Sequence, residues 1–144
     1  MNSHRILVVD DEPTIRDSMF MLLASVGYEV TTATDGLDAL LQLKTKTCEL
    51  IISDLNMPKM SGFEFLSVVR RRFPEIAVIA ISGAYESGKD VPGGVIADAF
   101  YPKGRHAPQE LFRIIAELIA TPLPARIIVA ANPRRSGYRG MART

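Results

Sequence analysis

A chain of 144 residues is the size of one ordinary domain, and at that length roughly 70% of the unfolded surface can be buried. Hydrophobic residues at 47%, charged residues at 23% and a net charge of +1 are the balance of a soluble globular protein. Several classes drop out at once. No apolar run approaches the ~20 residues of a membrane span, and the start of the chain lacks the apolar stretch and cleavage site of a signal peptide. A single cysteine, Cys48, rules out an intramolecular disulfide and suits a reducing cytoplasm. His4 and His106 stand alone, without zinc-like spacing. The charge is uneven: from Thr121 onward there are five arginines and no acid, which leaves about −4 for residues 1–120.

Arg5 to Val9 reads as a first strand, stopped by Asp10-Asp11-Glu12-Pro13. Pro13 suits the first turn of a helix, where its missing N–H costs nothing, and the acids before it favour a helix N-terminus. Ile15, Met19, Leu22, Leu23 and Val26 follow at helical spacing, and Gly27 closes that helix. Tyr28 to Ala33 alternates as a second strand. Asp35-Gly36 reads as a turn, and Leu37, Leu40 and Leu41 mark the apolar face of a second helix.

Leu50-Ile51-Ile52-Ser53-Asp54 is the third strand, an apolar run buried on both faces that ends abruptly in a carboxylate. Ser61 is placed to cap a third helix carrying Phe65, Leu66, Val69 and Phe73 inward, and Pro74 ends it. Ile76 to Ile81 is a fourth buried strand, delivering Ser82-Gly83-Ala84 to a loop. Residues 85–98 read as a short or irregular helix, because Val91-Pro92-Gly93-Gly94 interrupts it and two interior glycines cost about 2 kcal/mol. Ala99-Phe100-Tyr101 is a brief fifth strand, an edge by virtue of Pro102. Pro108 opens a last helix with Leu111, Ile114, Ile115, Leu118 and Ile119 facing inward.

Strands alternating with helices at this rhythm mean an α/β fold, a doubly wound parallel sheet with helices on both faces. Residues 1–120 fill that domain. Residues 121–144 form a basic tail, too short for a second domain, in which Ile127 to Ala130 can dock as one short strand. Five arginines would give only salt-sensitive, sequence-independent attraction to nucleic acid. With Tyr138 the one stacking surface nearby, nucleic acid is not the expected partner.

Ligands in such sheets bind beyond the carboxyl ends of the strands. Asp10 and Asp11 follow strand one, Asp54 closes strand three, Ser82 closes strand four and Lys103 follows strand five. Three acids gathered in one crevice repel one another unless a cation joins them. Mg²⁺, a hard ion held by carboxylates, waters and phosphate oxygens, fits that need. A carboxylate can also accept a phosphoryl group, with metal, lysine and hydroxyl neutralising the transferred oxygens.

Val9-Asp10-Asp11-Glu12-Pro13, Asp54-Leu55-Asn56-Met57-Pro58 with Gly62, Ser82-Gly83-Ala84 and Lys103 resemble the receiver domains of two-component response regulators, here of the stand-alone type. The resemblance covers roughly residues 4–120. It implies a flavodoxin-like sheet in the order 2-1-3-4-5. It implies phosphorylation at Asp54, with Mg²⁺ on Asp10, Asp11, Asp54 and the backbone carbonyl of Asn56. Ser82 and Lys103 would bind the phosphoryl group, and Phe100 would be the switch aromatic. The implied partners are a histidine kinase or phosphotransfer protein and a downstream protein target, with dimerisation through the region of strand five left open. The added charge of about −1.5 to −2 at Asp54 would draw Ser82 inward and let Phe100 rotate.

Two departures stand out. Pro102 precedes Lys103 and Gly104 follows it, where the family usually has proline after the lysine. The Pro92-Gly93-Gly94 segment falls in what is often the family's output helix. Three rival readings make different demands on the sequence. A haloacid-dehalogenase-type phosphatase needs a D-x-D motif, where this chain has Asp10-Asp11-Glu12. A dinucleotide-binding domain needs a G-x-G-x-x-G after strand one, and none is there. The third is a pseudo-receiver, the same fold docking proteins without being phosphorylated.

Overall fold

The computed structural model describes residues 4–57, 59–82, 97–102 and 108–121. Five parallel strands form one sheet: β1 (Arg5–Val9), β2 (Glu29–Ala33), β3 (Leu50–Asp54), β4 (Ala77–Ser82) and β5 (Ala99–Pro102). Their order is β2-β1-β3-β4-β5, as expected from the sequence. Parallel neighbours require a crossover between them. Helices α1 (Pro13–Ser25), α2 (Gly36–Thr45) and α3 (Gly62–Arg72) supply three, and α4 (Pro108–Ala120) follows β5. The segment expected as an irregular helix, 85–98, lies outside the described residues up to position 96.

Strand side chains alternate between the two faces of the sheet, so each face has its own core. Leu7, Val9, Ile51, Val78 and Ala80 pack against Ala39 and Leu43 of α2 and Phe65, Leu66 and Val69 of α3. On the other face Ile6, Val8, Ile52, Ile79 and Ile81 pack against Leu23 of α1 and Leu111 and Ile115 of α4. β3 is buried along its whole length, which explains its unbroken apolar run.

Helix ends follow local chemistry. Pro13 sits in the first turn of α1. Gly27, just past the C-cap of α1, adopts φ 103, a backbone angle that glycine tolerates best. At α3 the Ser61 hydroxyl accepts from the Glu64 N–H while the Glu64 carboxylate accepts from the Ser61 N–H, a reciprocal capping box.

Three expectations need correction. Leu37 and Leu41 do not face the core; they are 49% and 62% exposed. The buried side of α2 is Gly36, Ala39 and Leu43, with Leu40 packed against the core. Small residues let the helix approach closely, and a Cβ on Gly36 would lie 3.0 Å from both Met60 and Phe65. Val26 of the expected inward stripe of α1 is likewise exposed, since it stands at the C-cap where the chain turns away. Asp35 is a helix cap rather than a turn residue, its side chain accepting from the Asp38 N–H at 2.9 Å.

The start of β5 is pinned by a polar contact that the sequence did not announce. One carboxylate oxygen of Asp98 accepts from the Val78 N–H at 2.8 Å and stands 2.9 Å from Nη2 of Arg70, near the end of α3. The Arg70 nitrogen makes no hydrogen bond there, so the contact is an ion pair of poor hydrogen-bonding angle. Both side chains are largely buried, where separating them is costly.

Burial pushes the Cys48 thiol up from 9.0 to about 12. A thiol whose proton is held more tightly in the folded state contributes stability that is intact below pH 9. That stability is lost as pH rises toward 12. Burial raises Tyr28 and Tyr101 in the same direction. Chemical denaturation of wild type is expected to show stability falling above pH 9 by up to about 1.4 kcal/mol per unit from this thiol. Cys48→Ala should remove that share of the slope, and an unchanged slope contradicts the assignment. The native thiol should also resist aromatic disulfide reagents at neutral pH until the chain unfolds.

Candidate functional site

All five strands run the same way, so their carboxyl ends share one rim of the sheet. The β1 end is tied down by the Asp10 N–H donating to the Ala33 carbonyl at 3.2 Å. Arg16 of α1 donates from Nη1 to the Asp10 carbonyl at 2.8 Å. Asp10 Oδ1 accepts from the Glu12 N–H at 2.9 Å, closing a turn two residues on that fixes the carboxylate. β3 brings Asp54 to the same rim, level with Ile81 of β4. Its carboxylate accepts from the Asn56 N–H at 3.2 Å, and the Leu55 N–H donates to the Ile81 carbonyl at 3.0 Å.

These anchors bring Asp10, Asp11 and Asp54 together, one carboxylate oxygen from each within 4.8 Å of the others. Asp10 and Asp54 are buried, each 3% exposed, and Asp11 is open to solvent. A cation among acids at this separation would relieve their mutual repulsion, and oxygen ligands select a hard one. The donor set therefore fits a divalent ion of the magnesium type.

The other expected site residues fare differently. Ser82 is the last residue of β4, level with Pro102 of β5. Phe100 lies in β5, half-buried and packed against the core on the α2–α3 face. Asn56 is exposed, one residue past Leu55 in the loop that leaves β3. Lys103 lies outside the described residues, as do Pro58 and the tail from 122.

Two neighbours of the site had no assigned role in the sequence. Gly62 opens α3 with its N–H donating to the Leu55 carbonyl at 3.1 Å, so close that a Cβ would fall 2.5 Å from the Leu55 Cα. Only glycine permits that approach. Lys59 adopts φ 67 and places Nζ 3.9 Å from the buried carboxylate of Asp35. A lysine in a left-handed turn leaves no signature in sequence.

The family model for the response regulator receiver domain matches residues 6–101. Among curated proteins, the sensor histidine kinase RcsC of Salmonella typhi is 32% identical over 117 residues, covering 79% of this chain and 12% of that protein. The probable transcriptional regulator ycf27 of Cyanophora paradoxa is 31% identical over 119 residues, 83% of this chain and 49% of that one. The chain thus spans at most about half of these curated relatives.

Solved structures match over nearly their full length. The chemotaxis response regulator CheY4 of Vibrio cholerae has a TM-score of 0.73 at 31% identity, covering 81% of this chain and 99% of that one. The response regulator TrrA of Thermotoga maritima, in complex with Mg²⁺-BeF, has a TM-score of 0.72 at 33% identity, with 80% and 98% covered. No helix among the described residues is long and apolar enough to cross a membrane. With its strand order, its rim of acids and the span of the family match, this chain belongs to the response regulator receiver domain family.

Proposed function

We propose that this receiver is a phosphoacceptor in a two-component phosphorelay and that Asp54 carries the phosphoryl group. The observation that carries the reading is the convergence of Asp10, Asp11 and Asp54 within 4.8 Å at the rim, with Asp54 closing the buried central strand. Asp10, Asp11, Asp54 and the Asn56 carbonyl would hold Mg²⁺, and the ion would supply charge neutralisation for the phosphoryl oxygens. A carboxylate oxygen of Asp54 attacks phosphorus, forming an acyl phosphate as the bond to the donor's leaving atom breaks. Ser82 and Lys103 bind the new phosphoryl oxygens, and Phe100 responds from β5.

The donor is a histidine kinase or phosphotransfer protein, and the receiver's self-phosphorylation and hydrolysis run through the same site. The output is a protein contact made in the cytoplasm. Residues 1–120 form the receiver, and 121–144 are an appended basic segment.

The test is incubation with acetyl phosphate and Mg²⁺, read by intact mass. Wild type is expected to gain one phosphoryl group, and none in chelator or in Asp54→Ala. Incorporation that persists in Asp54→Ala, or none in wild type with Mg²⁺, overturns the reading. The second of those results is the one a pseudo-receiver gives.

A further inference from the structure

We propose that the groove between α2 and α3, walled by Leu37, Leu41 and Val68 and flanked at its far end by Lys44, Arg71 and Arg72, docks an amphipathic helix of another protein with acids in its first turn. Docking there draws on none of the residues of the acid cluster.

Contacts fix how α2 is turned. Gly36 faces the α3 side, where a Cβ would meet Met60 and Phe65. Gln42 reaches the other way, donating its side-chain amide to the Thr32 carbonyl of the edge strand β2 at 2.8 Å. At about 100° per residue, Gln42 lies about 120° from Gly36 in one sense, and Leu37, Leu40, Leu41 and Lys44 lie within about 140° in the other. The leucines therefore line the flank turned toward α3. Leu40 packs on the core, but Leu37 and Leu41 are left largely open to solvent.

The opposite wall comes from α3. Arg70 on one flank of this helix meets Asp98 beside β5, and Phe65 on the other meets α2. Val68 and Arg72 lie within about 60° of Phe65 round the helix, on the flank toward α2. Val68 is half-buried, and Arg71 and Arg72 are exposed in the last turn. Both helices run back from the rim. With Gly36 beside Phe65, a rise of about 1.5 Å per residue brings Leu41 near the level of Val68 and Lys44 near that of Arg72.

Charge selects the occupant. Lys44, Arg71 and Arg72 are exposed, and none has an ion-pair partner among the described residues. The acids at the rim end are engaged instead, Asp38 accepting from the Thr34 N–H and Glu64 from the Ser61 N–H. The macrodipole favours cations in a last turn, yet it gives no reason for exposed leucines above them. From Leu37 to Lys44 the helix rises about 10 Å, two turns of a docked partner helix. Laid antiparallel to α2, such a helix puts its first turn beside the three cations, where acids also suit its own dipole. Its apolar stripe then covers Leu37, Leu41 and Val68. Residues 122–144 carry five arginines and no acid, the wrong charge for that end of the groove.

The test is a methyl NMR titration of the full chain with a stapled helical peptide of about 15 residues, leucines on one face and glutamates in its first turn. A second peptide carries lysines in place of the glutamates. The acidic peptide is expected to shift the Leu37, Leu41 and Val68 methyls saturably, and to bind roughly tenfold or more tighter than the lysine peptide. Leu41→Ser, at an exposed position, should weaken it by a similar factor while leaving the fold unchanged. Lys44→Glu combined with Arg72→Glu should reverse the preference between the two peptides, which general stickiness cannot do. Equal binding of both peptides, shifts centred on another face, or the same methyls shifting with protein concentration alone, as a second copy on the groove would give, each overturns the proposal.

Discussion

Gly62→Ala is expected to destabilise the domain by about 3 kcal/mol or more, at the upper end of what overpacking usually costs. The added methyl would sit 2.5 Å from the Leu55 Cα and closer still to the Asp54 carbonyl oxygen. Both obstacles are backbone, so no rotamer change relieves them. Either α3 shifts off the sheet, breaking the Gly62–Leu55 bond, or the end of β3 moves and takes the Asp54 carboxylate with it. Gly27→Ala is the control. Nothing lies within 4 Å of its Cβ position, so only the positive φ is strained, at about 1–2 kcal/mol. Urea denaturation of both variants checks the contrast. Equal costs would show that close approach is not what glycine provides at position 62.

Asp54→Asn is expected to reverse the order of stability with the metal. Carboxylate oxygens within 4.8 Å of one another repel by about 3 kcal/mol or more per pair at an effective dielectric near 20. Asparagine keeps the oxygen that accepts from the Asn56 N–H and removes one charge from the cluster. In chelator the variant should therefore unfold later than wild type, by about 1–3 kcal/mol once solvent screening is allowed for. Saturating Mg²⁺ should stabilise wild type by about 2.7 kcal/mol at a hundredfold excess over its dissociation constant, and the variant by much less. Thermal unfolding of both proteins with and without Mg²⁺ measures all four states. A variant less stable than wild type in chelator, with an equal gain from Mg²⁺, contradicts the repulsion argument.

Much of this was legible in the sequence because its signals are local or periodic. The unbroken apolar run of β3, the capping pair Ser61 and Glu64, and Pro13 at the start of α1 each act within a few residues. They name an element and its end. Asp10, Asp11 and Asp54 could be brought together from sequence because parallel strands place all their carboxyl ends on one rim.

What sequence could not show depends on contacts between distant parts of the chain. Leucine spacing in α2 suggested an inward face of Leu37, Leu40 and Leu41. The packing surface was instead set by Gly36 and Ala39, small enough to let Met60 and Phe65 close in. Arg70 and Asp98 sit on different elements and carry no motif, yet together they hold the start of β5 beside β4. The left-handed turn at Lys59 is likewise fixed by the loop's path, since lysine has no preference for it.

A fluorine NMR titration of beryllofluoride with Mg²⁺ asks most directly whether the acid cluster gathers a cation and presents Asp54 to a phosphoryl-like group. The chain is expected to show a bound fluoride signal that requires Mg²⁺ and is absent in Asp54→Ala. No bound signal at saturating Mg²⁺, or one that survives without the metal, would contradict the account at its centre.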